Sequence, residues 1–108
     1  MTDDTRSETL KELKESLEAF LGDRLRRMVL FGSRARGDYS DESDIDVAII
    51  IQDLTPELKH QVLDRVADVE LKHLMPVSAL LLSEDAFNHL KRRERRIALD
   101  IEKEGVPL

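Results

Sequence analysis

The seven residues Ile45–Ile51, IDVAIII, constrain this chain more than any other segment. β-Branched side chains keep few rotamers and pack well on a pleated surface, so the run reads as a strand. A second short apolar run, Met28-Val29-Leu30-Phe31, closes on Gly32 and reads as a buried strand, and Val77 to Leu82 reads as a third. Between and around them lie helix signals. Leu10, Leu13, Leu17 and Phe20 recur at spacings of three and four behind the capping-box pattern Thr5 to Glu8, and Gly22 ends that segment. Thr55-Pro56 is an N-cap followed by proline at the first helical position, with Leu58, Val62, Val66 and Val69 as the buried face. Ser83 caps a stretch from Glu84 to about Leu90, and Ile97, Ala98 and Ile101 mark a last helix ending near Gly105.

The resulting order, α-β-(loop or helix)-β-α-β-α, implies a small α/β domain of two or three layers. The chain's 108 residues suit one core, so residues 1–108 are expected to form a single domain. Its composition is 41% apolar and 37% charged, which suits a packed core and excludes a disordered chain. The net charge of −6 argues against general nucleic-acid binding, because a polyanion is repelled on average. Without cysteine there are no disulfides or thiolate metal sites. No apolar run approaches the length of a membrane helix, and the polar first residues lack a signal-peptide pattern, so a cytoplasmic protein is expected without membrane contact.

The chemistry-bearing stretch is GSRARGDYSDESDID, Gly32 to Asp46. Glycine directly after a strand lets the backbone turn sharply and lets a phosphate approach closely. Ser33 can donate its hydroxyl and backbone N–H to phosphate oxygens. Asp44 and Asp46 flank Ile45 at a strand entry; residues two apart on a strand project to one face, so both carboxylates can converge on one hard cation such as Mg²⁺. Arg34 and Arg36 are placed to meet a triphosphate, or to pair with Asp38, Asp41 and Glu42. Each piece alone is common in turns and strand entries.

Together, Gly32-Ser33, ten intervening residues and Asp44-x-Asp46 resemble the signature of the DNA polymerase β-like nucleotidyltransferase superfamily. GSRARG followed by SDIDV resembles, more narrowly, the minimal nucleotidyltransferases (MNT) of prokaryotes. The resemblance implies a nucleotidyltransferase fold, a small mixed β-sheet flanked by helices. It implies transfer of a nucleoside monophosphate from a triphosphate to a hydroxyl, with ATP as substrate and Mg²⁺ as cofactor. By motif position, Asp44 and Asp46 would be the catalytic pair and hold the metal, and Gly32, Ser33 and Arg36 would bind the nucleotide. It also implies an antitoxin of a toxin–antitoxin pair that adenylylates a tyrosine on a HEPN-family toxin partner.

One departure stands out. Active superfamily members carry a third carboxylate on the following strand, whereas this strand, Val77-Ser78-Ala79-Leu80-Leu81-Leu82, has none and places Ser78 near that position. Glu70, Glu84 and Asp85 are the candidates to substitute for it, though each lies outside the strand. The alternative is thus a catalytically weak or inactive MNT-fold antitoxin that neutralises its partner by binding. Tyr39 could stack on a base or merely cover the core. His60, His73 and His89 lack metal-ligand spacing, and the run Lys91-Arg92-Arg93-Glu94-Arg95-Arg96 reads as a solvated helical face. Self-association is left open, and the apolar faces of the helices all look committed to the core, with no surplus patch.

Overall fold

The computed structural model describes residues 3–31, 45–103 and 105–108, without the side chains of residues 3–7, 31, 45, 97, 100 and 106. The expected mixed sheet with flanking helices is present. Helix α1 spans Asp3–Leu21, strand β1 Leu25–Phe31 and strand β2 Ile45–Ile51. Helix α2 spans Pro56–His73, strand β3 Val77–Ser83, helix α3 Glu84–Arg92, helix α4 Arg96–Lys103 and the short strand β4 Val106–Pro107. The strand order is β3-β2-β1-β4. Strands β1 and β2 are antiparallel, β2 and β3 parallel, and β1 and β4 antiparallel.

Several boundaries differ from the sequence reading for physical reasons. Helix α1 starts at Asp3, so Thr5 lies within it rather than capping it. Gly22 does end it, at φ +57, where a side chain would be strained. Strand β1 begins three residues before Met28: Arg26 and Arg27 hide its start, because their stems pack while their charges stay wet. Arg26 forms a β-bulge, which turns Leu25 and Arg27 onto opposite faces as partners of Ile51 and Ile50. The caps of α2 and α3 are as expected: Thr55 Oγ1 accepts from the Leu58 N–H at 3.1 Å, and Ser83 Oγ from the Ala86 N–H at 3.0 Å.

The period of two splits the sheet into two faces. Val47, Ile49, Ile51, Val77 and Leu81 pack under α1 and α2, against Leu13, Leu17, Leu58, Val62, Val66 and Val69. Ala48, Ile50 and Val29 pack on the other side, under Phe87 of α3 and Ala98 and Ile101 of α4. From Val47 to Ile51 strand β2 is therefore buried on both faces, which is why that stretch reads as an unbroken apolar run rather than an alternation. The layers are helices, sheet, helices, the three-layer option. In α1 the buried residues are Thr9, Leu13, Leu17 and Leu21, while Phe20 is half-buried beneath the Arg65 guanidinium at 4.2 Å from its ring centre.

Gly105, directly before β4, has no room for a side chain. A Cβ there would run into Val29 Cγ1 and the Ile101 carbonyl oxygen. Gly105→Ala is therefore expected to lower stability by about 1–3 kcal/mol, measurable by urea unfolding, because backbone rather than a flexible side chain must give way.

Glu102 of α4 joins α3 and α4 to strand β1. It accepts a hydrogen bond from Arg27 of β1 and lies 3.3 Å from Lys91 Nζ of α3. The Arg27 hydrogen bond is the main reason its carboxyl titrates below the ordinary 4.5, with Lys91 assisting and partial burial opposing. A lowered carboxyl stabilises the fold above its ordinary value and loses that contribution as pH falls through the lowered one. With Glu102 about one-third exposed, the effect stays below about 1 kcal/mol. Glu102→Gln should flatten the fall in melting temperature as the pH drops below the ordinary carboxylate range, relative to the unaltered chain.

Candidate active site

Asp46 lies where three strands share one end. Strand β1 finishes there at Phe31, while β2 and β3 begin there at Ile45 and Val77. Phe31 and Asp46 are cross-strand partners, and Asp46 is in parallel register with Ser78. Adjacent strands lie about 4.8 Å apart, so Asp46 is central to this end with one neighbour on each side. Gly32, Ser33, Arg36 and Asp44, together with Arg34 and Tyr39, lie outside the described residues. What the structure does describe is the frame of their segment, which leaves β1 and re-enters at β2 on neighbouring strands.

Asp46 shares the face of Ala48 and Ile50, toward α3 and α4, and is half-buried. A half-buried carboxylate at the rim of an apolar layer is costly in water's absence unless a cation or hydrogen bonds accompany it. Ser78 is exposed at the same level of the next strand. Ser78, expected near the third-carboxylate position, is the parallel register partner of Asp46. A hydroxyl there can accept or donate a hydrogen bond, but it cannot take a proton at neutral pH as a carboxylate can. The donors at this end, a carboxylate oxygen beside a hydroxyl oxygen, are hard ligands of the type that Mg²⁺ takes. Among the described residues, no three His, Asp or Glu side chains cluster to hold a metal ion.

The acidic residues considered in place of the third carboxylate are sorted by the topology. Glu84 and Asp85 start α3 after Ser83, which pairs with Ile51 at the opposite end of the sheet. Five residues of strand, at about 3.3 Å each, separate that end from Ser78. Glu84 instead sits 3.7 Å from Arg26 at the start of β1. Glu70 is at the correct end, but its Oε2 accepts the Val77 backbone N–H at 3.1 Å from the α2 side of the sheet. It fixes where β3 begins, one residue before Ser78, and so positions that strand. Sequence spacing could not reveal this, because the contact joins a helix to the strand that follows a left-handed turn at Leu74.

His60 is exposed and 4.0 Å from Asp64, His73 contacts Glu12 at 3.4 Å, and His89 is exposed. All six residues of the basic run Lys91 to Arg96 are exposed, as expected for a solvated face. Lys91 is the exception in part, since it reaches Glu102 and lies 5.6 Å from the centre of the Phe87 ring. No described helix is long and apolar enough to cross a membrane.

Comparison with known proteins bears on this arrangement. Residues 10–105 match the family described as Nucleotidyltransferase domain. Two Methanocaldococcus jannaschii proteins, both provisionally named protein adenylyltransferases, are each 37% identical. One aligns over 75 residues, covering 68% of this chain and 76% of the relative, and the other over 79 residues, covering 73% and 75%. A crystal structure of a provisionally assigned nucleotidyltransferase from Sulfolobus solfataricus superposes with a TM-score of 0.54 at 25% identity, covering 96% of this chain and 76% of the other. A structure described as a minimal nucleotidyltransferase superposes with a TM-score of 0.58 at 24% identity, covering 94% of both chains, a likeness of fold.

Proposed function

Because this chain belongs to the nucleotidyltransferase domain family, we propose that it transfers AMP from ATP to a hydroxyl of a partner protein, a tyrosine of a HEPN-type toxin, and acts as the antitoxin of that pair. The observation that carries this reading is the position of Asp46, which heads the central strand between the end of β1 and Ser78. The names of the two Methanocaldococcus jannaschii relatives support protein as the acceptor class.

In this reading the acceptor oxygen attacks the α-phosphorus of ATP. A phosphorus–oxygen bond forms, the bond to the β-phosphate oxygen breaks, and pyrophosphate leaves. The hydroxyl proton passes to solvent, since Ser78 cannot hold it. Gly32 and Ser33 seat the phosphates, Arg36 contacts the triphosphate, and Asp44 and Asp46 would hold a divalent cation. When bound, that cation supplies charge neutralisation for the triphosphate and the leaving pyrophosphate. The remaining work of these residues is positioning, which accounts for much of catalysis in phosphoryl chemistry.

A second reading is favoured by Ser78 alone: the fold neutralises its partner by masking it, with transfer lapsed. Intact-mass measurement of the neighbouring gene's product, after incubation with this protein, ATP and Mg²⁺, separates the two. A gain of one or more AMP groups supports transfer. An unmodified partner in a stable complex supports masking.

A further inference from the structure

Helix α2 presents a second apolar stripe, on the side turned away from its core face. Leu63, Ala67, Leu71 and Leu74 follow at spacings of four, four and three, and all are exposed. Leu71 is 74% and Leu74 78% exposed, values rare for leucine in a folded chain. This corrects the expectation that no apolar surface is left over. Leu74 is doubly unfavourable in the isolated chain: it ends α2 at φ 51, a conformation that suits glycine and strains a branched side chain.

The stripe has a charged border. Glu57, Asp64 and Asp68 run along one edge, all exposed. The only ionic neighbour that any of them has among the described residues is His60, beside Asp64. A two-fold antiparallel pairing of α2 with a second copy would set this acidic edge against itself, in a chain of net charge −6. A complementary surface carries an apolar stripe with lysine or arginine along the matching edge. The C-terminal end of the stripe also lies at the functional end of the sheet, because Leu74 leads through Met75 and Pro76 directly into Val77 and Ser78.

We infer that this face of α2 is a docking surface for an amphipathic helix of another protein, apolar along its contact line and basic along one edge. The inference deepens the protein-acceptor reading above: it names the surface that holds the acceptor while its hydroxyl reaches the site. Leucines left exposed and strained in the free chain are then covered in the complex.

The test is fluorescence polarisation with two labelled, side-chain-stapled synthetic helices bearing a leucine stripe, one with lysines along an edge and one with glutamates there. The lysine helix should bind the full chain, and the glutamate helix about tenfold or more weakly. Leu71→Lys and Leu74→Gly should each weaken lysine-helix binding by about tenfold or more. Leu74→Gly is expected to keep or raise the melting temperature, because glycine suits φ 51, so its loss of binding cannot be a loss of fold. Asp46→Asn should bind the helix as the unaltered chain does, which separates failure of docking from failure of catalysis. The inference is overturned if neither helix binds, if both bind alike, or if the two leucine variants bind normally. It is also overturned if sedimentation shows a dimer that Leu71→Lys dissociates, since the occupant is then a second copy.

Discussion

Asp46→Asn is expected to reduce AMP transfer by about 10³-fold, roughly 4 kcal/mol of transition-state stabilisation, while leaving the fold intact. Asparagine matches aspartate in shape and keeps an oxygen donor, so packing at the start of β2 changes little. What disappears is the negative charge at the centre of the strand end, one neighbour away from both Phe31 and Ser78. A divalent cation binds a neutral amide far more weakly than a carboxylate, and an uncompensated triphosphate is repelled by the rest of an acidic chain. The measurement is transfer of label from α-phosphorus-labelled ATP to the partner, beside a thermal melt of the variant. A stable variant that still transfers at the original rate would remove Asp46 from the site.

Ser78→Asp is expected to act in the opposite direction and raise transfer by about 10²-fold, the lower end of what a positioned general base contributes. Ser78 is exposed and in parallel register with Asp46, so a carboxylate there shares its face and level on the adjacent strand. Glu70, by accepting the Val77 N–H, already holds the start of β3 in place and would position the new group. The new charge adds repulsion with Asp46, so the gain should depend on the divalent cation and vanish with chelator. A pH–rate profile checks the assignment: a new limb rising through the carboxylate range would accompany the gain. An unchanged rate would mean that the acceptor proton leaves without a protein base and that the serine is not what limits turnover.

Much of this was legible before any coordinates. The β-branched residues of Ile45–Ile51 announced a strand, and its apolar stretch Val47 to Ile51 has no alternation because the structure buries it on both faces. Thr55 and Ser83 marked helix starts, since their hydroxyls satisfy N–H groups that every helix leaves free. The motif between Gly32 and Asp46 pointed to nucleotide chemistry, and the serine in β3 was found by counting along a strand whose bounds were nearly right.

Other features depend on contacts between segments distant in the chain. The arginines at the start of β1 concealed three strand residues, and the bulge at Arg26 breaks the alternation that would have shown them. Glu84 and Asp85 looked as near to Ser78 in sequence as Glu70 did. They are removed because β3 runs its full length between them and the site, while Glu70 is returned to it by the turn after α2. The outward leucines of α2 escaped notice for a similar reason: periodicity shows that a helix has apolar residues, but α2 has two apolar lines and one sheet face to bury them against. Local propensity and pattern are carried by neighbouring residues and can be read along the chain. Which of two faces turns inward, and which end of a strand a carboxylate reaches, depend on packing that exists only once the layers are assembled.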